Sequence, residues 1–220
     1  MTMFSRENIR RTFPVFLGYI TVGMIFGVLV HDIGQGAIFA FVAGLLIYGG
    51  AAQFLLIDLI KNSVPPFQVF IAIFLLNLRH VFYYAPVQSR IPDRGFPWMY
   101  SVFGLTDETF ALLTSGIFNK KDGLAITQIN HVYWVVGCTS GALLGMILKT
   151  KIEGLDFALT ALFTVLCIEK IRAARDLLTL LLPLSLAVLC RFLLSAEFFL
   201  IAVLTLSRPL SYFLSRGERV

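Results

Sequence analysis

The sequence predicts an all-α, polytopic membrane protein with seven or eight transmembrane helices, one or more of them broken. Of the 220 residues, 58% are hydrophobic and only 14% are charged, and the mean hydropathy is +0.84. A soluble domain is about a quarter charged, so this chain has too few charged residues to cover an apolar core with a polar shell. Hydrocarbon is the solvent in which so many exposed apolar side chains are stable. We expect one integral membrane domain over residues 1–220.

Six apolar segments approach the length of about 20 residues that a helix needs to cross hydrocarbon, and a longer apolar tail follows them. The segments are Phe13–Val30, Ala37–Ile60, Phe67–Val87, Trp98–Phe118, Leu124–Leu148 and Leu155–Ile171. The tail, Leu177–Leu206, contains Arg191 and forms either one long tilted helix or two short ones. The N-terminal apolar run lacks a small-residue cleavage site, so we interpret it as a retained first helix.

The distribution of positive charge predicts a cytoplasmic N-terminus. The 18 Lys and Arg residues lie mainly in short connections between apolar segments, which argues against a nucleic-acid partner despite the net charge of +5. With eight spans, twelve of the 18 lie on the N-terminal side, five lie on the other side and Arg79 lies within the membrane. This asymmetry follows the positive-inside rule and favours eight spans over seven. The three cysteines lie in apolar segments without metal-ligand spacing, so we expect no metal and no cofactor.

Two stretches resemble each other weakly and suggest an internal repeat. Each has two glycines four residues apart, then a loop with another glycine and an apolar helix, at Gly23–Gly27 and at Gly141–Gly145. Transporters are often built from such repeats, with the substrate at the repeat interface. By the span count, the two copies of the repeat have the same orientation in the membrane. Their orientations are opposite if Trp98–Phe118 is re-entrant or broken. The alternative is that the glycines only mark close packing of membrane helices.

A polar cluster lies near the middle of the third segment, at Asn77, Arg79 and His80. A cation at the bilayer centre costs at least about 2.5 kcal/mol, so Arg79 must face the protein interior, beside a carboxylate, helix-end carbonyls or water. We interpret this cluster as a site for a charged substrate or a proton. The alternative is an Arg–carboxylate pair that only locks two helices together.

Thr106, Asp107 and Glu108 interrupt the fourth segment. Threonine followed by acidic residues is typical of a helix start, because these side chains satisfy unpaired N–H groups at the positive end of the helix dipole. We therefore expect an extended or loop-like first part and then a helix that starts at Thr106. Asp107 or Glu108 is the expected partner of Arg79, and either could carry a proton if burial favours its neutral form.

A third polar site, Tyr48-Gly-Gly-Ala-Ala-Gln53, lies in the middle of the second segment. Each glycine costs a helix about 1 kcal/mol relative to alanine, and both Gly49 and Gly50 let a backbone or ligand approach closely. One interpretation is an unwound helix whose second half binds a substrate carboxylate at its N-terminus. The other is tight packing of small residues, with Gln53 as an interhelical hydrogen-bond partner.

Five motifs, in order along the chain, resemble the AzlC family, the large subunit of branched-chain amino acid exporters. They are Gly18-Tyr19 with Gly23-x-x-Phe26-Gly27, Tyr48-Gly-Gly-Ala-Ala-Gln53-Phe54, Leu76-Asn-Leu-Arg-His80 with Tyr83-Tyr84, Leu105-Thr-Asp-Glu108, and Leu155-Asp-Phe-Ala-Leu-Thr-Ala-Leu-Phe163. The tail after Arg175 carries little that is diagnostic of the family.

The resemblance implies export of hydrophobic amino acids such as valine, leucine or isoleucine across a prokaryotic cytoplasmic (inner) membrane. It also implies a second, small AzlD-type membrane subunit, while assembly as a homo-oligomer stays open. The residue chemistry is compatible with this substrate class. A zwitterion needs one receptor for its carboxylate and one for its ammonium group. Arg79 or the Gly49-Gly50 break could bind the carboxylate, and Asp107 or Glu108 could bind the ammonium group.

We expect a secondary transporter that works by alternating access, driven by the proton gradient, because ionisable residues lie at mid-membrane and no nucleotide-binding motif is present. One alternative is a membrane scaffold or assembly subunit whose polar pairs only hold a complex together. Another is a membrane enzyme using His80 and the carboxylates as acid and base. We disfavour the enzyme, since the sequence contains no recognisable nucleophile or metal motif.

Overall fold

The computed structural model describes residues 5–77, 80, 83–116 and 118–148, with isolated positions at 157, 160, 161, 164, 168, 185, 188, 189 and 192. Arg79 lies outside the described residues, and so do Leu155–Ile171 and the tail Leu177–Leu206 apart from these isolated positions. Throughout the described part the secondary structure is helical without a strand, which confirms the all-α prediction. The number of spans stays a prediction.

Eight α-helices are described along the chain. They are α1 (Arg6–Asp32), α2 (Ala37–Leu46), α3 (Gly50–Lys61), α4 (Pro66–Asn77), α5 (Tyr84–Val87), α6 (Gly95–Phe103), α7 (Asp107–Ser115) and α8 (Lys120–Leu148). The chain divides into two compact units, Met1–Ser63 with Asn77–Ala158 and Val64–Leu76 with Leu159–Val220. The expectation of a single domain over residues 1–220 stays a prediction.

Helix α4 belongs to the second unit except for its last residue, Asn77. It begins at Pro66, where the missing proline N–H costs no hydrogen bond. Three of its phenylalanines, Phe67, Phe70 and Phe74, are exposed, and the rings of Phe70 and Phe74 stack with centroids 6.1 Å apart. An exposed aromatic surface of this kind is stable in contact with lipid.

Helices α1 and α8 form the frame of the first unit. They contain 27 and 29 residues, so each is about 40 Å long, which exceeds the roughly 30 Å of a hydrocarbon core. Among the described helices, these two are long and apolar enough to cross a membrane. The hydroxyl of Ser5 accepts the N–H of Asn8 at 3.2 Å and so caps the start of α1.

Five glycines bring the backbones of α1 and α8 into direct contact, and we call them the glycine seam. They are Gly23, Gly27, Gly137, Gly141 and Gly145. Cβ atoms built at Gly137, Gly141 and Gly145 would lie 2.8 Å from the Tyr19 carbonyl oxygen, 2.1 Å from the Met24 carbonyl oxygen and 2.8 Å from the His31 Cβ, respectively. Along these contacts, later residues of α1 meet later residues of α8, so the two helices run parallel. The glycines of the two repeat-like stretches therefore serve close packing between those stretches.

The second apolar segment is broken at Ile47-Tyr48-Gly49, between α2 and α3. Tyr48 has φ 43°, a left-handed conformation that strains a non-glycine residue. Gly49 is extended, with φ −156° and ψ 104°, and forms the N-cap of α3. The unwinding at the paired glycines that one of the two interpretations requires is therefore present.

The fourth segment is broken at Gly104-Leu105-Thr106, between α6 and α7. Thr106 is the N-cap of α7, and its hydroxyl accepts the N–H of Thr109 at 3.3 Å, as its sequence context predicts. The expectation of an extended first part was wrong, because Gly95–Phe103 forms α6. Pro97 lies in the first turn of α6, where proline is tolerated, so it does not prevent this helix.

Helices α2 and α3 form a hairpin rather than one continuous rod, and we call them the first hairpin. A Cβ at Gly44 in α2 would lie 3.5 Å from Cys138, and the Gln53 amide nitrogen in α3 lies 4.0 Å from the Cys138 sulfur. Phe54 in α3 also packs on Phe26 of α1, with ring centroids 5.9 Å apart. Both halves thus contact α8 near or just beyond its midpoint, and α3 also contacts α1 on the C-terminal side of its midpoint.

Helices α6 and α7 form the second hairpin, which lies at the other end of α1 and α8. Before α6, Asp93 pairs with Lys120 at the start of α8. After α7, a Cβ built at Gly123 would lie 3.7 Å from Leu113, and the Arg90 guanidinium donates to the Leu113 carbonyl. The chain therefore enters and leaves the second hairpin at the N-terminal end of α8.

Candidate functional site

The tips of the two hairpins meet around the midpoints of α1 and α8, the first beside Trp134 and the second beside Thr127, about two turns earlier in α8. Tyr19 and Trp134 are the central residues of these helices, and their rings pack edge to face with centroids 5.2 Å apart. Tyr48, at the tip of the first hairpin, lies 6.4 Å from the Tyr19 ring. A Cβ at Gly104, at the tip of the second hairpin, would lie 3.4 Å from the Tyr48 ring. We call this region the junction.

Gln53 fixes the tip of the first hairpin to α8. Its side-chain oxygen accepts the indole N–H of Trp134 at 2.6 Å and the backbone N–H of Gly49 at 3.3 Å. Gly50 lies against the Trp134 ring, since a Cβ there would lie 3.2 Å from it. Gln53 is thus an interhelical hydrogen-bond partner at an unwound helix. Binding of a substrate carboxylate at this helix start stays a prediction.

Thr106 connects the tip of the second hairpin to α1. Its hydroxyl lies 2.6 Å from the Tyr19 hydroxyl, which donates to a Glu108 carboxylate oxygen at 2.8 Å. Glu108 is exposed and Asp107 is half-buried, whereas Thr106 and Tyr19 are both buried. The carboxylates therefore face outward from a buried hydroxyl cluster at the start of α7.

A second layer of polar groups links this cluster to α8. The side-chain amide of Asn130 donates to the Thr109 hydroxyl at 3.0 Å, and the Thr106 hydroxyl also donates to it at 3.0 Å. Within the described part of the chain, the Asn130 amide oxygen and the Tyr48 hydroxyl are buried without a hydrogen-bond partner. Because buried polar atoms are nearly always satisfied, these two atoms are exceptions within the polar layer.

His131 touches both hairpins. Its Nδ1 lies 2.6 Å from the Tyr100 hydroxyl of α6, and its Nε2 lies 3.3 Å from the Gly44 carbonyl oxygen of α2. Its ring stacks on Tyr48 with centroids 4.2 Å apart and an interplanar angle of 25°. One side chain of α8 therefore joins the two hairpins.

Of the described members of the Asn77–His80 cluster, Asn77 lies beside Gly49 and His80 is connected to Asp107 through Tyr83. A Cβ at Gly49 would lie 3.5 Å from the Asn77 side-chain oxygen. The His80 ring is 5.7 Å from that of Tyr83, whose hydroxyl donates to an Asp107 carboxylate oxygen. Because Arg79 lies outside the described residues, its pairing with Asp107 or Glu108 stays a prediction.

Several junction residues were not predicted from the sequence. Tyr19 belongs to a quoted motif without a role of its own, and neither Asn130 nor His131 is assigned to a site from the sequence. The adjacent pair Asn130-His131 inside an apolar segment was a usable signal. Among the described residues, no three His, Cys, Asp or Glu side chains form a group that could hold a metal ion.

Comparison with known proteins gives a family match over the described core. The model of the family described as AzlC protein matches residues 14–148. The branched-chain amino acid transport protein AzlC of Bacillus subtilis is 30% identical over 164 residues, which cover 72% of this chain and 65% of that protein. The chain thus spans slightly less than two thirds of this relative.

Other relatives are named as membrane proteins. A membrane protein of Helicobacter pylori strain J99 is 33% identical over 208 residues, covering 91% of this chain and 90% of the relative. The inner membrane protein YgaZ of Escherichia coli is 27% identical over 149 residues, covering 63% and 60%. No solved structure matches the chain.

Proposed function

Because the chain belongs to the AzlC family, we propose that it is the large subunit of a secondary exporter of branched-chain amino acids. The name of its Bacillus relative supports transport of this substrate class. Export as the direction, and a small AzlD-type subunit as the partner, follow from the family resemblance. We place the chain in a prokaryotic cytoplasmic membrane, as a multi-pass protein, because the relatives are named membrane proteins.

We place the N-terminus in the cytoplasm. The parallel α1 and α8 bring Arg6, Arg10 and Arg11 to the same side as Lys120 and Lys121, and positive residues near membrane helices favour the cytoplasmic side. The guanidinium of Arg11 lies 4.9 Å from the Phe118 ring, which supports the same pairing of helix ends. On this topology the first hairpin enters from outside and the second from the cytoplasm, so neither broken segment crosses, and the proposed number of spans is two fewer than the seven or eight that the sequence predicts.

The single observation that carries the proposal is the meeting of two broken helices at the midpoints of α1 and α8. The hairpin helices contain 9 to 12 residues, so each rises about 14–18 Å, or half of a hydrocarbon core. Non-helical backbone at that depth is tolerated where it is buried in protein or lines a cavity. Transporters hold their substrates at such breaks near the midplane.

The junction offers complementary receptors for the two ends of an amino acid. Helix α3 starts at Gly49 without a side-chain cap, so its first N–H groups and its positive dipole end suit a carboxylate. Arg79 is a second candidate for the carboxylate. Asp107 and Glu108, at the start of α7, are candidates for the ammonium group.

The test is efflux of labelled valine or isoleucine from proteoliposomes that contain the full chain with its small membrane subunit. Arg79→Ala and Asp107→Asn should lose efflux, because each removes a charge that the zwitterion or a coupled proton needs. Arg94→Ala and Asp58→Asn remove the same charges from exposed positions and should retain it. Wild-type efflux in Arg79→Ala and Asp107→Asn would contradict the site assignment. Loss of efflux with an intact two-subunit complex would contradict the scaffold alternative.

A further inference from the structure

His131 holds a bridging position that the substrate receptors do not explain. It is 5% exposed, and both ring nitrogens have partners from different hairpins. The Gly44 carbonyl belongs to the last turn of α2, whose carbonyls have no helical donor because α2 ends at Leu46. A carbonyl oxygen can only accept, so His131 Nε2 carries the hydrogen in this contact.

This assignment fixes the state of the other nitrogen. With the hydrogen on Nε2, the neutral imidazole presents a lone pair at Nδ1, to which the Tyr100 hydroxyl donates at 2.6 Å. Nδ1 is therefore the atom at which this histidine can gain a proton while its bond to Gly44 stays intact. Protonation reverses the contact with Tyr100, because Nδ1–H becomes a donor and the hydroxyl oxygen must accept.

We propose that His131 Nδ1 binds the proton whose movement is coupled to amino acid transport, which rests on the transport function proposed above. The neutral imidazole accepts a proton from water on one side of the membrane and becomes an imidazolium with two N–H donors. The carbonyl end of α2 stabilises this cation, since it is the negative end of a helix dipole. Release of the proton to the other side restores the lone pair at Nδ1.

The groups around His131 determine what its protonation changes. Among the described residues, the titratable side chains in contact with its ring are Tyr48 from the first hairpin and Tyr100 from the second. Phe103 of α6 adds an apolar edge at a centroid distance of 5.8 Å. Glu108 belongs to a different layer, where its carboxylate accepts a hydrogen bond from the Tyr19 hydroxyl. A change at Nδ1 thus acts first on the contact that ties α8 to the second hairpin.

His131→Gln separates proton coupling from substrate handling. A glutamine side chain retains an N–H donor for Gly44 and an oxygen for Tyr100, but it binds no proton near neutral pH. In proteoliposomes, exchange of labelled for unlabelled valine at equal concentrations should be retained, because exchange needs no net proton movement. Uphill transport driven by an imposed pH gradient, and proton movement reported by a pH-sensitive dye, should be lost. His31→Gln is the matched control and should retain all three activities.

Each outcome bears on a different claim. Uphill transport retained in His131→Gln would overturn the proposal, and so would loss of exchange together with uphill transport in correctly assembled protein. A wild-type chain that exchanges valine but ignores the pH gradient would also overturn it. Failure of the wild-type chain to exchange valine would instead contradict the proposed transport function.

A second measurement does not depend on His131→Gln folding. In full chains labelled with ¹⁵N-histidine, the signal that persists in both His31→Gln and His80→Gln chains belongs to His131, because the chain contains three histidines. Its Nδ1 should change from a free to a protonated chemical shift as the pH is lowered. An Nδ1 that shows one state at every pH at which the chain stays folded would refute the proposal.

Discussion

Replacing Gly27 with alanine tests whether the glycine seam sets the distance between α1 and α8. A Cβ at Gly27 would lie 2.2 Å from the Cys138 carbonyl oxygen and 2.4 Å from the Ala142 nitrogen. Both are backbone atoms, so no side-chain rotation relieves the overlap. Gly18→Ala, in the same helix, is the matched control, because a Cβ at Gly18 meets nothing within 4 Å.

The two substitutions share one favourable effect and differ in one unfavourable effect. Both gain about 0.5–1 kcal/mol from the better helix propensity of alanine. Only Gly27→Ala must separate the helices, since 2.2 Å is about 1.2 Å shorter than the 3.4 Å at which ordinary contact begins. Overpacking of this kind costs about 1–3 kcal/mol. Because lipid tails are as apolar as leucine, no hydrophobic gain holds the separated helices together.

We therefore expect the free energy of unfolding of Gly27→Ala to be about 1–3 kcal/mol below that of Gly18→Ala. The assay is denaturant unfolding in a mild detergent, followed by circular dichroism. Combining Gly27→Ala with Gly141→Ala should cost less than the sum of the two single changes, because one separation relieves both overlaps. Equal stability of Gly27→Ala and Gly18→Ala would refute the packing argument.

Two further predictions concern the second hairpin and the topology. Thr106→Ala should lower the free energy of unfolding by about 0.5–2 kcal/mol, because α7 loses its N-cap. In the same unfolding assay, Thr106→Ser should be close to wild type, since it retains the hydroxyl. Equal losses of stability in the two variants would exclude the hydroxyl as the cause. On the proposed topology Ser63 lies outside the cell and Arg94 lies in the cytoplasm. In intact cells, Ser63→Cys should therefore react with a membrane-impermeant maleimide, whereas Arg94→Cys should react only after permeabilisation. The reverse pattern would mean that both broken segments cross the membrane.

The local breaks were predictable from the sequence because their causes are local. Paired glycines weaken a helix wherever they occur, and Thr106 followed by two carboxylates starts one through its own side-chain chemistry. The direction of the chain after each break was not predictable. Hydropathy counts apolar residues, and a hairpin of two half-helices contains as many as a single span. What distinguishes a hairpin from a span is which turn of α8 each half contacts. In the first hairpin both halves contact the same residue, Cys138.

The candidate site was predictable only in part, for a similar reason. Gln53 and Thr106 stand out because a polar residue in an apolar segment needs a partner. Tyr19 does not, since tyrosine is common in membrane helices, and its role appears only when Thr106 and Glu108 lie beside its hydroxyl. His131 gains its role from Gly44 and Tyr100, which are distant in sequence and belong to different hairpins.

The charge distribution discriminates between hairpins and spans more sharply than segment length does. Parallel packing of α1 and α8 requires an odd number of crossings between them. With the third segment crossing once, as the sequence predicts, either both broken segments cross or neither does. If both cross, six Lys and Arg residues before α8 share the side of the N-terminus and two, Arg90 and Arg94, oppose it. If neither crosses, seven share that side and only Lys61 opposes it. The seven are Arg6, Arg10, Arg11, Arg90, Arg94, Lys120 and Lys121. The positive-inside rule thus favours the arrangement that the hairpin contacts support, with one hairpin entering from each side and His131 between their tips.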